Sequence, residues 1–229
     1  MEFRRYLKQV DTFVIASSIE RRLYSEYFDI APERFELLLW SMAPPIDECF
    51  KQARFGSGRY ICAIGTQGRD YDTLITAMRS LPSVHLVLVT SSTCLPRLAI
   101  PPNVTVVTDV SFADAMNVLA HSRCMVLPLR DSDVPAGHIT TVAALHMGKA
   151  IVATDSSGLR DYLTDDETAL LVPHHDSRQL ANRIELLLSD TTVLGRLCEN
   201  GFSFARAKCT EDNAVAYFHR FLVSNGLDA

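Results

Sequence analysis

The loop at residues 64–70 combines backbone freedom with a charged donor. Gly65 and Gly68 let the main chain approach a ligand closely, and Arg69 offers a guanidinium to a phosphate oxygen. Thr66 adds a hydroxyl between them. The alternative interpretation is a plain turn from a strand to a helix with a solvated arginine.

The loop at residues 130–141 has the chemistry of an anion site at the start of a helix. A glycine followed by two threonines supplies backbone N–H groups, hydroxyl donors and the positive end of the helix dipole, which suit a diphosphate. An imidazole beside that turn can donate to a phosphate or sugar oxygen. The alternative is a threonine-capped helix with no ligand. The site residues predicted in this loop are Gly137, His138, Ile139, Thr140 and Thr141.

The triplet Asp131-Ser132-Asp133 is the one metal-binding pattern that the same loop suggests. Paired carboxylates can hold a divalent cation against a diphosphate, but a helix start and an arginine neutralise a diphosphate without one. Six scattered cysteines contain no C-x-x-C pair, and we interpret them as buried or incidental thiols. His174-His175 is interpreted as a solvated turn. We therefore expect no metal and no other cofactor.

Strands and helices around these loops must position them. The sequence alternates short apolar runs with longer segments of helical period. The apolar runs predict strands, and the segments between them predict helices at 71–81, 113–120 and 140–147. Strands that are apolar throughout and separated by helices predict a doubly wound, Rossmann-like parallel sheet. The predicted strands are 60–64, 85–89, 104–107, 124–127 and 151–154.

The two ends of the chain differ from this central pattern. Three helices in succession, at 178–188, 191–207 and 212–225, predict a C-terminal helical tail. Residues 1–47 predict a strand (12–16), a helix (18–28) and a second strand (35–40). One β-α-β unit of this kind cannot cover both faces of its own strands. We interpret 1–47 as the remnant of a preceding α/β domain, 48–58 as a linker and 59–229 as the ligand-binding domain.

Composition excludes several classes of protein. The formal charge is −5, without a long basic run, which argues against a surface for nucleic acid. The hydrophobic content of 48% suits a folded domain, and no apolar run is long enough for a signal peptide or a membrane span. We expect a cytoplasmic protein, for which peripheral contact with a membrane stays possible.

Six segments resemble, in order, motifs of one family. Residues 64–77 are similar to its "G-R-x-x-x-K-G…L-I-x-A" pattern, and 103–104 and 120–128 to two of its strands. Residues 144–154, A-L-H-M-G-K-A-I-V-A-T, are similar to "A-M-A-x-G-K-P-V-V-A-T". Residues 158–163 are similar to "G-x-x-E-x-I" and 168–173 to "T-G-L-L-V-P". The chain from about 60 to 222 resembles the C-terminal, donor-binding domain of the large retaining family of GT-B glycosyltransferases.

This resemblance implies a function and a set of partners. The protein would transfer a hexose from a nucleotide diphosphate sugar to a glycan or another acceptor, without a catalytic metal. Residues 1–47 resemble the end of the family's N-terminal domain, so the acceptor-binding domain would be mostly missing and the chain alone inactive.

The sequence also departs from the family. Its two usual glutamates fall on Pro135 and Ala143, its arginine on Thr66 and its lysine on Arg69. The catalytic residues therefore stay unassigned. A non-catalytic nucleotide-binding module is the alternative function. A flavodoxin-like domain would explain the alternation of strands and helices but not the three-helix tail.

Overall fold

A six-stranded parallel sheet forms the centre of the chain. The computed structural model describes residues 6–44, 52–130, 133 and 135–226. The strands of this sheet are β3 (Ile61–Ile64), β4 (Leu86–Thr90), β5 (Val104–Thr108), β6 (Cys124–Leu127), β7 (Ala150–Thr154) and β8 (Leu170–Val172). They pair in the order β5-β4-β3-β6-β7-β8, and every pairing is parallel. In this doubly wound order the direction in which successive strands are added to the sheet reverses between β3 and β6, which is the topological switch point.

Helices cover both faces of the sheet. The sequence predicted this cover, because its strands are apolar throughout. One apolar cluster joins the sheet to α3 (Phe112–His121) and α4 (His138–His146), and the other joins it to α2 (Tyr71–Arg79) and α5 (Ser177–Ser189). Adjacent residues of β3 enter different clusters, Cys62 the first and Ile61 the second, because strand side chains alternate between faces. The helices are α2 (Tyr71–Arg79), α3 (Phe112–His121), α4 (His138–His146), α5 (Ser177–Ser189), α6 (Thr191–Lys208) and α7 (Glu211–Ser224).

The doubly wound fold is confirmed, and the predicted helical tail is partly built into it. Leu180, Ile184 and Leu187 on α5 are almost fully buried in the cluster that includes α2. Helix α6 packs against α4 and β7. The strand β8, which was not among the five predicted runs, completes the edge of the sheet. The first two helices of the tail therefore form part of the layers on the sheet.

The N-terminal residues form a small unit of their own. Strands β1 (Phe13–Ile15) and β2 (Phe35–Leu37) pair in parallel, and α1 (Ser18–Phe28) connects them. Ser17 caps α1 in a capping box with Glu20. The predicted second strand, 35–40, is shorter than expected. Of the predicted linker, 48–51 lie outside the described residues, and 52–58 contain no helix or strand. The division into domains stays a prediction.

The N-terminal unit touches the ends of the main sheet's strands through specific hydrogen bonds. The Tyr162 hydroxyl donates to the carbonyl of Ala16 and accepts from the main-chain N–H of Trp40. The Asp161 carboxylate accepts from both the N–H and the hydroxyl of Ser18. These contacts bring residues of the N-terminal unit to the edge where the ligand loops lie. In the part of the chain that the structure describes, no helix is both long and apolar enough to cross a membrane.

Candidate functional site

The two predicted ligand loops meet at the switch point of the sheet. Because β3 and β6 are parallel neighbours, their carboxyl ends lie side by side, and this is where open α/β sheets bind ligands. A cavity of about 550 Å³ opens there. Seven of the eight predicted site residues line it, namely Gly65, Thr66, Arg69, Gly137, His138, Ile139 and Thr140. The eighth, Thr141, is fully buried beside the cavity, and its hydroxyl has no partner among the described residues.

Arg69 lies folded over the first loop and is only 6% exposed. Its Nη1 donates to the carbonyl of Gln67 at 2.9 Å, and its Nε and Nη2 donate to that of Ile64 at 3.3 and 3.2 Å. A further bond of 3.3 Å from Nη2 reaches the Thr140 hydroxyl, which joins the two loops. Burial lowers the pKa of Arg69 from its usual value, although Tyr71 opposes this shift.

The guanidinium of Arg69 lacks a negative partner in the described part of the chain, where no carboxylate forms an ion pair with it. Carbonyl oxygens satisfy its N–H groups but not its charge, and a buried charge is normally paired. The cavity beside it is therefore lined by a positive charge that no carboxylate of the described residues neutralises.

Gly65 allows the guanidinium to lie where it does. Its φ of +130° is a conformation that other residues rarely adopt, and an added Cβ would lie 2.8 Å from Cζ of Arg69. The Tyr71 hydroxyl donates to the carbonyl of Gly65. Burial raises the pKa of Tyr71 to about 12, so this phenol stays a neutral donor. The loop and Arg69 are thus built as one unit.

The second loop presents the start of α4 to the same cavity. Gly137 precedes the helix with a φ of +94° and has no side chain to cap it, so the first N–H groups are left for a ligand. The Thr140 hydroxyl donates to the carbonyl of Gly137 at 3.1 Å while it accepts from Arg69. This hydroxyl is therefore already engaged by protein groups, which the sequence did not indicate.

His138 is held in place by two contacts. Its Nε2 lies 2.8 Å from the carbonyl of Gly158, and its ring packs against Tyr162 with 5.1 Å between centroids. A carbonyl oxygen only accepts, so Nε2 carries the proton in this bond. In the neutral ring Nδ1 is then an acceptor, suited to a sugar hydroxyl, and it can donate to a phosphate only when the ring is protonated.

The positions of the family's two glutamates carry no carboxylate in this protein. Pro135 lines the cavity, and Ala143 is fully buried within α4. The cavity instead contains Glu20, whose Oε2 accepts from the N–H groups of Ala16 and Ser17 and whose Oε1 accepts from the Tyr24 hydroxyl. Those bonds make Glu20 part of the frame of the site.

The wall also contains residues that sequence reasoning missed, among them Glu20, Trp40 and Phe112. Ser17-x-x-Glu20 is a capping-box pattern, which could have marked Glu20 as fixed at a helix start. The sequence carries no comparable signal for Trp40 or Phe112, because their position depends on how separate elements pack.

A shallower groove of about 350 Å³ continues from the cavity over the ends of β4 and β5. It shares Gly65 and Thr66 with the cavity, and its other polar lining residues are Thr90, Ser91, Asp109 and Ser111. Hydroxyl and carboxylate groups above an apolar floor suit a nucleoside. The main cavity and this groove together have the extended shape of a site for a nucleotide with a further group attached.

The first loop is anchored on its other side by Asp70. Its carboxylate caps α2 through the Thr73 N–H at 3.1 Å and lies 2.7 Å from Nδ1 of the exposed His175. Burial acts to raise the pKa of Asp70, but the hydrogen bonds from Thr73 and His175 outweigh it and hold this pKa below its usual value. His175, for which the sequence predicted a solvated turn, therefore supports the loop at residues 64–70.

The carboxylates of the predicted metal triplet can be placed only in part. Asp131 and Ser132 lie outside the described residues, whereas Asp133 accepts a hydrogen bond of 3.1 Å from the Ser157 hydroxyl. Within the described ranges no three histidine, cysteine or acidic side chains come together as metal ligands. The expectation of a metal-free site stays a prediction.

A doubly wound parallel sheet with a cavity at its switch point is the architecture of many α/β proteins that bind nucleotides. The sequence model of the family "Glycosyl transferases group 1" matches residues 58–190, which is more than half of the chain. The protein therefore belongs to that glycosyltransferase family, and the resemblance to GT-B enzymes is confirmed. No curated protein matches the chain in sequence.

Solved structures of GT-B enzymes share this fold at low sequence identity. Anabaena HepE, solved with UDP-glucose, matches 93% of the chain with a TM-score of 0.76 and 16% identity. The sucrose-phosphate synthase of Thermosynechococcus elongatus matches 93% with a TM-score of 0.74 and 21% identity. A glycosyltransferase of Rickettsia africae matches 96% with a TM-score of 0.71 and 13% identity. The chain covers 64%, 58% and 66% of these structures, respectively.

Proposed function

We propose that this protein binds a nucleoside diphosphate sugar and takes part in transfer of its hexose to a glycan or another acceptor. The observation that carries the proposal is the buried Arg69, which has no carboxylate partner among the described residues and lines the switch-point cavity beside the start of α4. A diphosphate supplies the negative charge that this position lacks. The UDP-glucose bound by HepE supports the same class of ligand.

The geometry suggests how the donor lies in the site. The diphosphate would lie between the 64–69 loop and the start of α4, the nucleoside in the groove over β4 and β5, and the sugar toward His138. The bond between the anomeric carbon of the sugar and the diphosphate oxygen breaks, and its electron pair stays on that oxygen. The oxygen of an acceptor hydroxyl forms the new bond to the anomeric carbon and releases its proton to water. Arg69 and the helix start stabilise the charge that develops there.

No resident metal is needed for this role. The guanidinium and the helix start both act as fixed positive groups, so they can neutralise a leaving diphosphate without a divalent cation. We propose that the site works without a metal and that the triplet 131–133 is not a ligand set.

The acceptor side of the reaction is also a proposal. The chain covers 58–66% of the length of the three solved structures. We interpret residues 1–47 as the end of an acceptor-binding domain. Closure of two domains over the donor is needed for efficient transfer in enzymes of this kind. We therefore expect this 229-residue chain to bind nucleotide without measurable transfer, and we place its reaction in polysaccharide biosynthesis in the cytoplasm.

A direct titration tests the proposal. Trp40 is the chain's single tryptophan and lines the cavity, so its fluorescence reports on occupancy. We expect UDP, GDP or ADP to change this fluorescence and to bind more tightly than the matching nucleoside. Calorimetry on the same samples supplies the affinities. Absence of binding by all three diphosphates would contradict the proposal.

One observation favours a second function, a nucleotide-binding module without catalysis. The positions of the family's two glutamates carry Pro135 and Ala143, and neither provides a carboxylate to the donor. An activity assay of the protein together with an acceptor-binding domain distinguishes the transferase from the non-catalytic module. Nucleotide binding with no transfer or sugar-nucleotide hydrolysis in the completed protein would support the module.

A further inference from the structure

The N-terminal unit provides one wall of the switch-point cavity, and this wall has few polar groups free for a ligand. Its lining residues are Ala16, Glu20 and Trp40. The side chain of Ala16 is apolar, and both carboxylate oxygens of Glu20 already accept hydrogen bonds from residues of the same unit. Trp40 therefore supplies most of the side-chain surface with which this wall can contact a ligand.

The backbone of Trp40 is fixed, whereas its side chain stays half exposed. Its main-chain N–H donates to the Tyr162 hydroxyl at 2.8 Å, and Leu39 and Met42 on either side of it pack against the apolar cluster of the main sheet. Trp40 itself is 42% exposed. Tryptophan usually buries most of its large surface, and aromatic side chains in a concave site are typical of ligand pockets. Packing of this segment therefore does not require the indole, and a ligand contact explains it.

Tyr162 brings Trp40 and His138 to the same region of the cavity. Its hydroxyl accepts the hydrogen bond from Trp40, and its ring packs against the His138 ring with 5.1 Å between centroids. Both Trp40 and His138 line the cavity. One buried tyrosine thus positions an apolar indole and a polar imidazole next to each other.

The proposed donor has three parts, and two of them are better matched elsewhere in the site. The diphosphate needs positive groups, which are Arg69 and the start of α4, and the wall from the N-terminal unit offers none. The nucleoside is assigned to the separate groove over β4 and β5. The hexose is the part that remains for the region between Trp40 and His138.

The chemistry of a hexopyranose matches this pair of rings. Its hydroxyl groups lie around the edge of the sugar ring, whereas the C–H groups on a face of the ring form an apolar patch. A flat indole removes such a patch from water, which is favourable in proportion to the apolar area buried. The imidazole of His138 can exchange a hydrogen bond with a hydroxyl at the edge.

We propose that Trp40 binds the transferred sugar, with its indole against one C–H face of a hexopyranose. This inference rests on the proposed function, because it assigns the sugar end of the same donor site. Trp40 then contributes to the affinity for the sugar part of the donor and not to the affinity for the nucleotide part. A residue that only supports the fold would affect both parts equally.

Calorimetric titrations of the full chain with matched pairs of ligands test the inference. The pairs are UDP-glucose with UDP, GDP-mannose with GDP, and ADP-glucose with ADP. In the pair that binds best, Trp40→Ala should weaken the sugar nucleotide about fivefold or more, the effect of burying roughly 40 Å² of apolar surface. The same variant should change the affinity for the diphosphate by less than about twofold. Trp40→Phe keeps an aromatic ring and should retain part of the affinity for the sugar nucleotide.

A second aromatic residue of the same cavity provides a matched control. Phe112 is 57% exposed and lines both the cavity and the groove assigned to the nucleoside. Phe112→Ala should therefore weaken the sugar nucleotide and the diphosphate by the same factor.

The possible results separate the inference from the proposed function. If Trp40→Ala weakens both ligands of a pair equally, the indole acts through the fold or contacts the nucleotide, and the inference is overturned. Unchanged affinity for both ligands overturns it as well. Absence of binding by every diphosphate and sugar nucleotide contradicts the proposed function, and the inference with it.

Discussion

Replacement of Arg69 by alanine tests the central feature of the donor site. In the structure the guanidinium bridges the two loops through Ile64, Gln67 and Thr140 and leaves its charge facing the cavity. Arg69→Ala therefore removes two things, a charge that would contact the diphosphate and a set of internal hydrogen bonds. The two effects appear in different measurements.

The effect on binding follows from the strength of one charge-assisted contact. Such a contact contributes about 1.5–3 kcal/mol, which corresponds to about 10- to 150-fold weaker binding of a nucleoside diphosphate. The matching nucleoside does not have the phosphates, so its affinity should change by less than about threefold. Calorimetric titrations of wild type and Arg69→Ala with UDP and uridine, or the best base found, measure both. Arg220→Ala serves as a control that removes a distant positive charge.

The effect on stability follows from the carbonyl groups that lose their donor. A buried carbonyl left unpaired costs about 1–3 kcal/mol, so loss of the donor to the Ile64 carbonyl suggests a loss of about 2 kcal/mol, whereas water can replace the donor to the exposed Gln67. For a chain of this size, that corresponds to a fall in Tm of about 4–8 °C, measurable by calorimetry or circular dichroism. Equal weakening of diphosphate and nucleoside would refute the reasoning, because Arg69 would then act through the fold alone.

Three further changes test other parts of the site. Gly65→Ala should weaken nucleotide binding about tenfold or more, because its Cβ would displace the Arg69 guanidinium; an unchanged affinity in fluorescence titrations would refute this. EDTA, magnesium or manganese, and the double change Asp131→Asn with Asp133→Asn, should leave nucleotide affinity within a few-fold; loss of binding on chelation and recovery with manganese would contradict the metal-free site. The depressed pKa of Asp70 contributes stability that is present above the carboxyl's unfolded pKa of about 3.9 and is lost as the pH falls through the folded pKa. Asp70→Asn should therefore reduce the drop in urea stability between pH 7 and about pH 3, and an identical drop in wild type and variant would show that this carboxyl is not responsible.

Local patterns in the sequence determined the elements and the sheet type. Apolar runs such as 124–127 and segments of helical period such as 178–188 depend on neighbouring residues alone, so their bounds could be predicted to within a few positions. Glycines before helix starts likewise marked the ligand loops, because positive φ and free N–H groups are local properties. The resemblance to GT-B enzymes rested on the same short motifs.

Only the tertiary structure decided which hydrogen bonds form between side chains of loops that are distant in sequence. The Thr140 hydroxyl was predicted as a ligand donor, yet it is engaged by Arg69, 71 positions away in sequence. Trp40 and Glu20 reach the cavity because Tyr162 fixes the N-terminal unit against the strand ends. Burial and pairing of charge arise from packing between elements far apart in the chain, and a sequence pattern of local period does not encode them.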